Sequence, residues 1–179
     1  QKVLAFYKPV GVTCTERDPH AEKKIMDMIR YPERLTYAGR LDKDSEGLIL
    51  LTNDGDLINA MMRGANRHEK EYIVKTDREI TPDFLEKMAK GIYLKDLDIT
   101  TRECEIEQIG KFTFRIVLTQ GVNRQIRRMC EACGYRVKAL KRIRIMNILL
   151  GDLKPGKWRE VTGEELEQLQ RDTGMLNRN

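Results

Sequence analysis

Ile99-Thr-Thr-Arg-Glu-Cys-Glu-Ile-Glu-Gln-Ile-Gly110-Lys-Phe-Thr-Phe-Arg-Ile-Val-Leu118 carries two β-forming runs, 99–109 and 111–118, on either side of a glycine. Two such runs joined by a few residues containing Gly read as a hairpin, which forces antiparallel pairing. The preceding element is helical. Thr81-Pro82 supplies an N-cap and a first-turn proline for a helix to about Lys90 that buries Phe84, Leu85 and Met88. Before it, residues 69–76 read as a strand with Lys70, Tyr72 and Val74 on one face. After the hairpin, a helix over 124–133 is stopped by Gly134, and a strand follows over 136–143.

The amino-terminal part mixes the same ingredients. Lys2-Val-Leu-Ala-Phe-Tyr7 opens as a strand and ends in Lys8-Pro9-Val10-Gly11, a turn. Ile25, Met26 and Ile29 recur at helical spacing within 21–30. A strand-like piece over 35–40 leads to the polar loop Gly39-Arg-Leu-Asp-Lys-Asp-Ser-Glu-Gly47, and Leu48-Ile-Leu-Leu51 follows as a buried strand. Asn53-Asp-Gly55 turns the chain into a helix over 56–63, and Thr162-Gly-Glu-Glu165 reads as a capping box that starts a final helix. Helices and strands do not alternate strictly and hairpins are present, so the expected class is α+β, with a mixed, mainly antiparallel sheet and flanking helices. The sequence has no internal repeat.

Composition removes several classes of function. With 179 residues, 40% apolar and 34% charged, the chain has enough material for one substantial core or two lobes sharing a sheet. No apolar run approaches the roughly 18–20 residues that span a bilayer, so no membrane partner is expected. Four cysteines are too few for a disulfide scaffold. Cys130-Glu-Ala-Cys133 has the spacing of half a zinc site, but no second pair follows and the two histidines are distant. Reduced thiols in a cytoplasmic protein, with no metal, are the expectation. Charge is more informative. Between Lys111 and Asn147 ten Lys and Arg residues face one acid, Glu131, a net +9 in a chain whose total is +5. That asymmetry points to a polyanionic partner, above all nucleic acid, over a merely solvated basic face.

Three acids, two bases and a serine occupy the loop over 39–47, and a carboxylate displayed between rigid strands can serve as nucleophile or base. An exposed polar loop has the same composition. Arg124, Arg127 and Arg128 begin a helix, where backbone N–H groups also favour anions. Tyr72 can stack on a base, or simply pack in a core.

Taken together these segments resemble a known family. Tyr7-Lys8-Pro9-Val10-Gly11, Gly39-Arg40-Leu41-Asp42, Lys70-Glu71-Tyr72 and Asn123-Arg124-Gln125-Ile126-Arg127-Arg128 occur in the order found in pseudouridine synthases. The Lys43–Leu48 continuation, His68–Tyr72 and the run from Gln120 to Asn147 resemble the branch that modifies ribosomal RNA, and large-subunit (23S) RNA in particular. The resemblance implies a pseudouridine synthase fold with a central active-site cleft. It implies Asp42 as the catalytic aspartate, Tyr72 as the ring stacked on the target uracil and a helper in removing the C5 proton, and Arg127 as the aspartate's basic partner. It also implies that Arg40 fills the space left by the flipped uridine and that Lys70 supports the site from its strand face. With Arg124, Arg128, Lys141 and Arg142, these last two complete the expected RNA-binding set.

No cofactor is needed for an isomerisation. The expected partner is ribosomal RNA, with transfer RNA as a second candidate, and the expected state is a monomer. Residues 1–172 would form the catalytic domain and 173–179 a tail. Family members often begin with a small RNA-binding domain, which this chain does not contain, and the abrupt start at Gln1 suggests a piece of a longer protein. Two rival readings stand beside this one. A non-catalytic RNA-binding module explains the basic segment alone, and a metal-dependent phosphoryl-transfer enzyme would use Asp42-x-Asp44, although no phosphate-binding loop of the Walker type is present.

Overall fold

The computed structural model describes residues 1–14, 25–63 and 67–175. In chain order the elements are β1 (Val3–Lys8), α1 (Ile25–Met28), β2 (Thr36–Tyr37), β3 (Glu46–Thr52), α2 (Gly55–Arg63), β4 (Lys70–Thr76), α3 (Pro82–Lys90), β5 (Tyr93–Leu94) and β6 (Ile99–Thr100). There follow β7 (Glu105–Gly110), β8 (Thr113–Leu118), α4 (Gln125–Ala132), β9 (Val137–Ile145), β10 (Ile148–Leu149), β11 (Trp158–Glu160) and α5 (Gly163–Asp172). Helices flank antiparallel pairs, as expected for an α+β protein. The chain divides into two compact units, residues 1–64 with 142–179, and residues 65–141.

In the first unit β1 pairs antiparallel with both β3 and β11, and β2 and the end of β9 lie beside β3 and β10 respectively. Strict alternation along β1 and β3 feeds two cores. Val3, Ala5, Tyr7, Leu48 and Leu50 face Leu57 and Met61 of α2 and Leu169 of α5. Leu4, Phe6, Ile49 and Leu51 face Val12, Cys14, Ile25, Ile29, Leu35 and Leu41. A strand buried on both faces reads as a continuous apolar run, which is why Leu48–Leu51 carries no polar residue. Leu41, the residue before Asp42, belongs to the second of these cores, so the polar loop is tethered at its centre by apolar burial.

In the second unit β4 pairs with β8 and β8 with β7, all antiparallel. Val74, Phe84, Met88, Phe114, Ile116, Leu118, Ile126, Met129, Cys130 and Leu140 form its core. Helix α3 starts as expected: the Thr81 hydroxyl accepts the Phe84 amide at 3.1 Å, with Pro82 in the first turn.

Three local expectations are revised. The hairpin is shorter than the run that suggested it, because Ile99–Thr100 pairs instead with β5 in a separate ribbon. Thr101 closes that ribbon, its buried hydroxyl accepting the Ile92 amide at 2.8 Å. The capping box at Thr162 does not form: its hydroxyl makes no cap bond, and the Glu165 carboxylate is held by Arg159 at 2.7 and 2.9 Å. A bidentate guanidinium–carboxylate pair outcompetes a reach back to one backbone amide. Of the expected strand over 35–40, only β2 is extended and paired. Residues 21–24 of the expected helix over 21–30 lie outside the described residues.

Candidate active site

The Asp42 loop is built in the first unit. Gly39 and Gly47 bracket it with φ of 99° and 113°, backbone that L side chains rarely adopt. Within it Arg40, Lys43 and Asp44 are exposed, Leu41 and Ser45 are buried, and Asp42 is half-buried. The Ser45 amide donates to the Asp42 carbonyl at 3.0 Å, closing a turn under the aspartate.

Three side chains that composition would place in solvent hold this loop from beneath. Lys8 is fully buried, and its Nζ donates to the carbonyls of Pro9 at 2.7 Å, Val12 at 2.8 Å and Lys43 at 3.3 Å. The Gly11 amide donates to the same Lys43 carbonyl at 2.8 Å. Burial lowers the Lys8 ammonium to about 8, against the opposing fields of Cys14, Asp44, Asp42 and Glu46. Arg142 is also buried, and its Nε donates to Leu48 O at 2.8 Å and its Nη1 to Arg40 O at 3.4 Å. Tyr7 donates its hydroxyl to Glu46 at the loop's far end, and burial together with that carboxylate raises the phenol's pKa.

Arg142 therefore requires a correction. Expected among the residues that grip RNA phosphate, it is enclosed, and its guanidinium is spent on carbonyls of the Asp42 loop and β3. The signal was in the strand pattern. Arg142 lies two residues beyond Leu140, on the buried side of β9 by period-two alternation. Lys8 offered no comparable signal, because a lysine in a strand ahead of Pro-Val-Gly ordinarily points out.

The other expected residues lie in the second unit. Tyr72 and Lys70 are half-buried on β4, with Tyr72 packed against the core and opposite Ile116. On α4, Ile126, Met129 and Cys130 face inward, while Arg124, Arg127, Arg128 and Glu131, spaced i, i+3, i+4 and i+7, share the other face. These four, with Arg136 and Val137, line a cavity of about 260 Å³. Arg124 takes the left-handed N-cap position with φ of 51°. Arg128 is tied back by Nε to Asn123 O at 2.9 Å. Lys141 is half-buried on β9 and does not line the cavity.

The cavity gathers four guanidinium groups with one carboxylate, the setting for a phosphate or another anion. Among the described residues no group of three or more His, Cys, Asp or Glu could hold a metal ion. Cys130 and Cys133 are free thiols, and burial pushes Cys130 up to about 12, which favours its protonated form. No helix is long and apolar enough to cross a membrane among the described residues.

Known proteins place this geometry in context. Residues 2–132 match the family described as RNA pseudouridylate synthase. The chain is similar to the dual-specificity RNA pseudouridine synthase RluF of Escherichia coli K12, with 47% identity over 167 residues that cover 93% of this chain and 57% of RluF. It therefore spans little more than half of that relative's length. An RNA pseudouridine synthase of Aquifex aeolicus is 36% identical over 94% of this chain and 71% of its own. Among solved structures, a crystal structure of a pseudouridylate synthase superposes with a TM-score of 0.86 at 29% identity, covering 94% of this chain and 73% of the other. With a family match across most of its length, and relatives this similar in sequence and fold, the chain belongs to the RNA pseudouridylate synthase family.

Proposed function

We propose that this protein isomerises a uridine in large-subunit (23S) ribosomal RNA to pseudouridine, with Asp42 as its catalytic carboxylate. The observation that carries the reading is the construction of the Asp42 loop. A half-buried aspartate sits between glycines with left-handed backbone, and buried Lys8 and Arg142 support the peptides around it. Such investment in one loop is out of proportion for a surface turn. It suits a group held ready for one geometry.

The reaction breaks the C1′–N1 bond, turns the uracil, and joins C5 to C1′; the C5 proton is lost and N1 ends protonated. Nothing is oxidised and no external group is taken up, so the chain's own residues suffice. Asp42 either adds to C1′ or removes the C2′ proton to give a glycal, and both routes require its negative charge. Arg127 is the basic residue that the family resemblance gives as the partner of that charge. Tyr72 stacks on the uracil, and its hydroxyl assists loss of the C5 proton. Bringing the base out of a helix costs a few kcal/mol, which Arg40, exposed at the loop's edge, offsets by occupying the vacated stack. Arg124, Arg128, Lys70 and Lys141 hold the backbone through phosphate contacts. The protein acts as a monomer in the cytoplasm, where ribosomal RNA is found. Transfer RNA is a second substrate to test, since one relative is named for dual specificity.

Tritium release from C5-labelled uridine in 23S transcripts and in transfer RNA tests the activity, and mapping of the product locates the nucleotide. Release from a 23S transcript supports the reading. Tight RNA binding without any release would leave only an RNA-binding module.

A further inference from the structure

Asp42 is joined to the chain by two peptide units, and both are held. The carbonyl of the unit after it is bonded by the Ser45 amide at 3.0 Å. The carbonyl of the unit before it belongs to Leu41, and the Cys14 thiol donates to it at 3.1 Å. The same sulfur accepts the Leu41 amide at 3.5 Å, so one atom closes both polar groups of the residue before the aspartate. Because Leu41 O and the Asp42 nitrogen share one rigid plane, fixing that oxygen fixes the direction in which the chain enters Asp42. We infer that Cys14 is a positioning residue for the reaction, its thiol acting through the Leu41 peptide to aim the Asp42 carboxylate. This rests on the proposal that Asp42 is the catalytic group.

The surroundings explain why a thiol serves here. Cys14 and Leu41 are both buried in the core that also holds Phe6, Val12 and Ile25. Two backbone polar groups in such a place need a partner, and an apolar side chain would leave them unsatisfied. Sulfur is a weak donor and acceptor that loses little on leaving water, so it satisfies both groups without carrying a strongly hydrated atom into the core. Burial raises the Cys14 pKa and keeps its proton in place for donation, even though the Leu41 amide bond and then Lys8, Arg142 and Arg40 pull the other way. The thiol is thus a hydrogen-bonding group and not a nucleophile.

The test compares Cys14→Ser, Cys14→Val and Cys14→Ala with Asp42→Asn in one assay, reading kcat, KM, RNA affinity and thermal melting. Serine keeps a donor and an acceptor, and its kcat should stay within about three-fold of wild type. Valine keeps the volume and removes both bonds. Its kcat should fall roughly ten-fold or more, on the scale expected for a small misplacement of a reacting group, with KM and RNA affinity within about two-fold. If valine does not fold, alanine takes its place. A folded valine or alanine variant at the wild-type rate overturns the inference, as does serine as slow as valine, or a loss confined to KM. Failure of both valine and alanine to fold would also overturn it, by making Cys14 a packing residue only. If Asp42→Asn stays active, the assignment of Asp42 itself fails. If it is dead while Cys14→Val is normal, only the role of Cys14 fails.

Discussion

Gly47 lies against the backbone of Arg142 so closely that a Cβ on it would stand 2.3 Å from the Arg142 carbonyl oxygen and 2.7 Å from its nitrogen. The Asp42 loop ends at this contact, and the Arg142 side chain returns from the same point to bond Leu48 O and Arg40 O. Backbone proximity and a buried guanidinium thus join β9 to the loop on β3.

Gly47→Ala should therefore be among the most damaging single-methyl additions in the chain. Its φ of 113° already excludes an easy alanine, and the obstruction is backbone, which cannot rotate away. A loss of about 3 kcal/mol or more is expected in chemical denaturation. Gly39→Ala, with a similar φ of 99° but no atom within 4 Å of the added carbon, should lose less.

Arg142 and Lys141 should separate cleanly. Arg142→Met removes the donors to two carbonyls and should lower stability by about 2–4 kcal/mol, leaving the salt dependence of RNA binding unchanged. Lys141→Ala should do the reverse, with near-normal stability and a salt slope flatter by about one unit if it meets a phosphate. Denaturation curves and binding at several salt concentrations read both. A flatter slope in a stable Arg142→Met protein would return Arg142 to the RNA surface.

Lys8 makes a prediction about pH. Its folded-state pKa of about 8 lies below the ordinary lysine value of 10.5. Between those values the unfolded chain holds the proton more strongly than the folded one, so this group's contribution to stability rises with pH. Below pH 8 both states are protonated, and the full desolvation penalty opposes folding. It is relieved as pH climbs from about 8 towards 10.5, where both states become neutral. The stability of wild type relative to Lys8→Met should accordingly increase across that window and be flat below it. A difference that falls with rising pH would contradict the burial of a strained ammonium.

Much of this arrangement is legible in the sequence, for reasons that differ by residue. Thr81-Pro82 specifies the start of α3 through local chemistry alone, and Gly134, with φ of 81°, ends α4 in the same way. Leu48–Leu51 announces a strand covered on both faces. What escaped reading depends on a competing partner that local patterning does not rank. Thr162 loses its capping role because Arg159 holds Glu165, and Ile99–Thr100 leaves the hairpin because Tyr93–Leu94 offers a nearer strand. Asp42, Tyr72 and Arg127 stand in motifs that a family resemblance picks out. Lys8, Cys14 and Arg142 work by burial against backbone carbonyls, and a charged or thiol side chain carries no mark of that in composition. Only the alternation through Leu140 hinted at Arg142.

Tyr72→Phe keeps the ring packed on the second unit's core and removes only the hydroxyl. RNA affinity should be unchanged while release of the C5 proton slows. Tyr72→Leu, which also loses the stacking face, should be at least as impaired. A Phe variant that turns over at the wild-type rate would remove the hydroxyl from the mechanism.

One substitution decides which carboxylate reacts, and the loop supplies its own control in Asp44, exposed two residues further on. Asp42→Asn is nearly isosteric, leaves the Ser45 turn and the Cys14 bonds available, and removes the charge that either route requires. Tritium release from C5-labelled uridine in the target RNA should fall to background for Asp42→Asn, with fold and RNA affinity retained, while Asp44→Asn keeps substantial activity. Wild-type release by the Asp42 variant, or equal loss in both, would contradict the assignment.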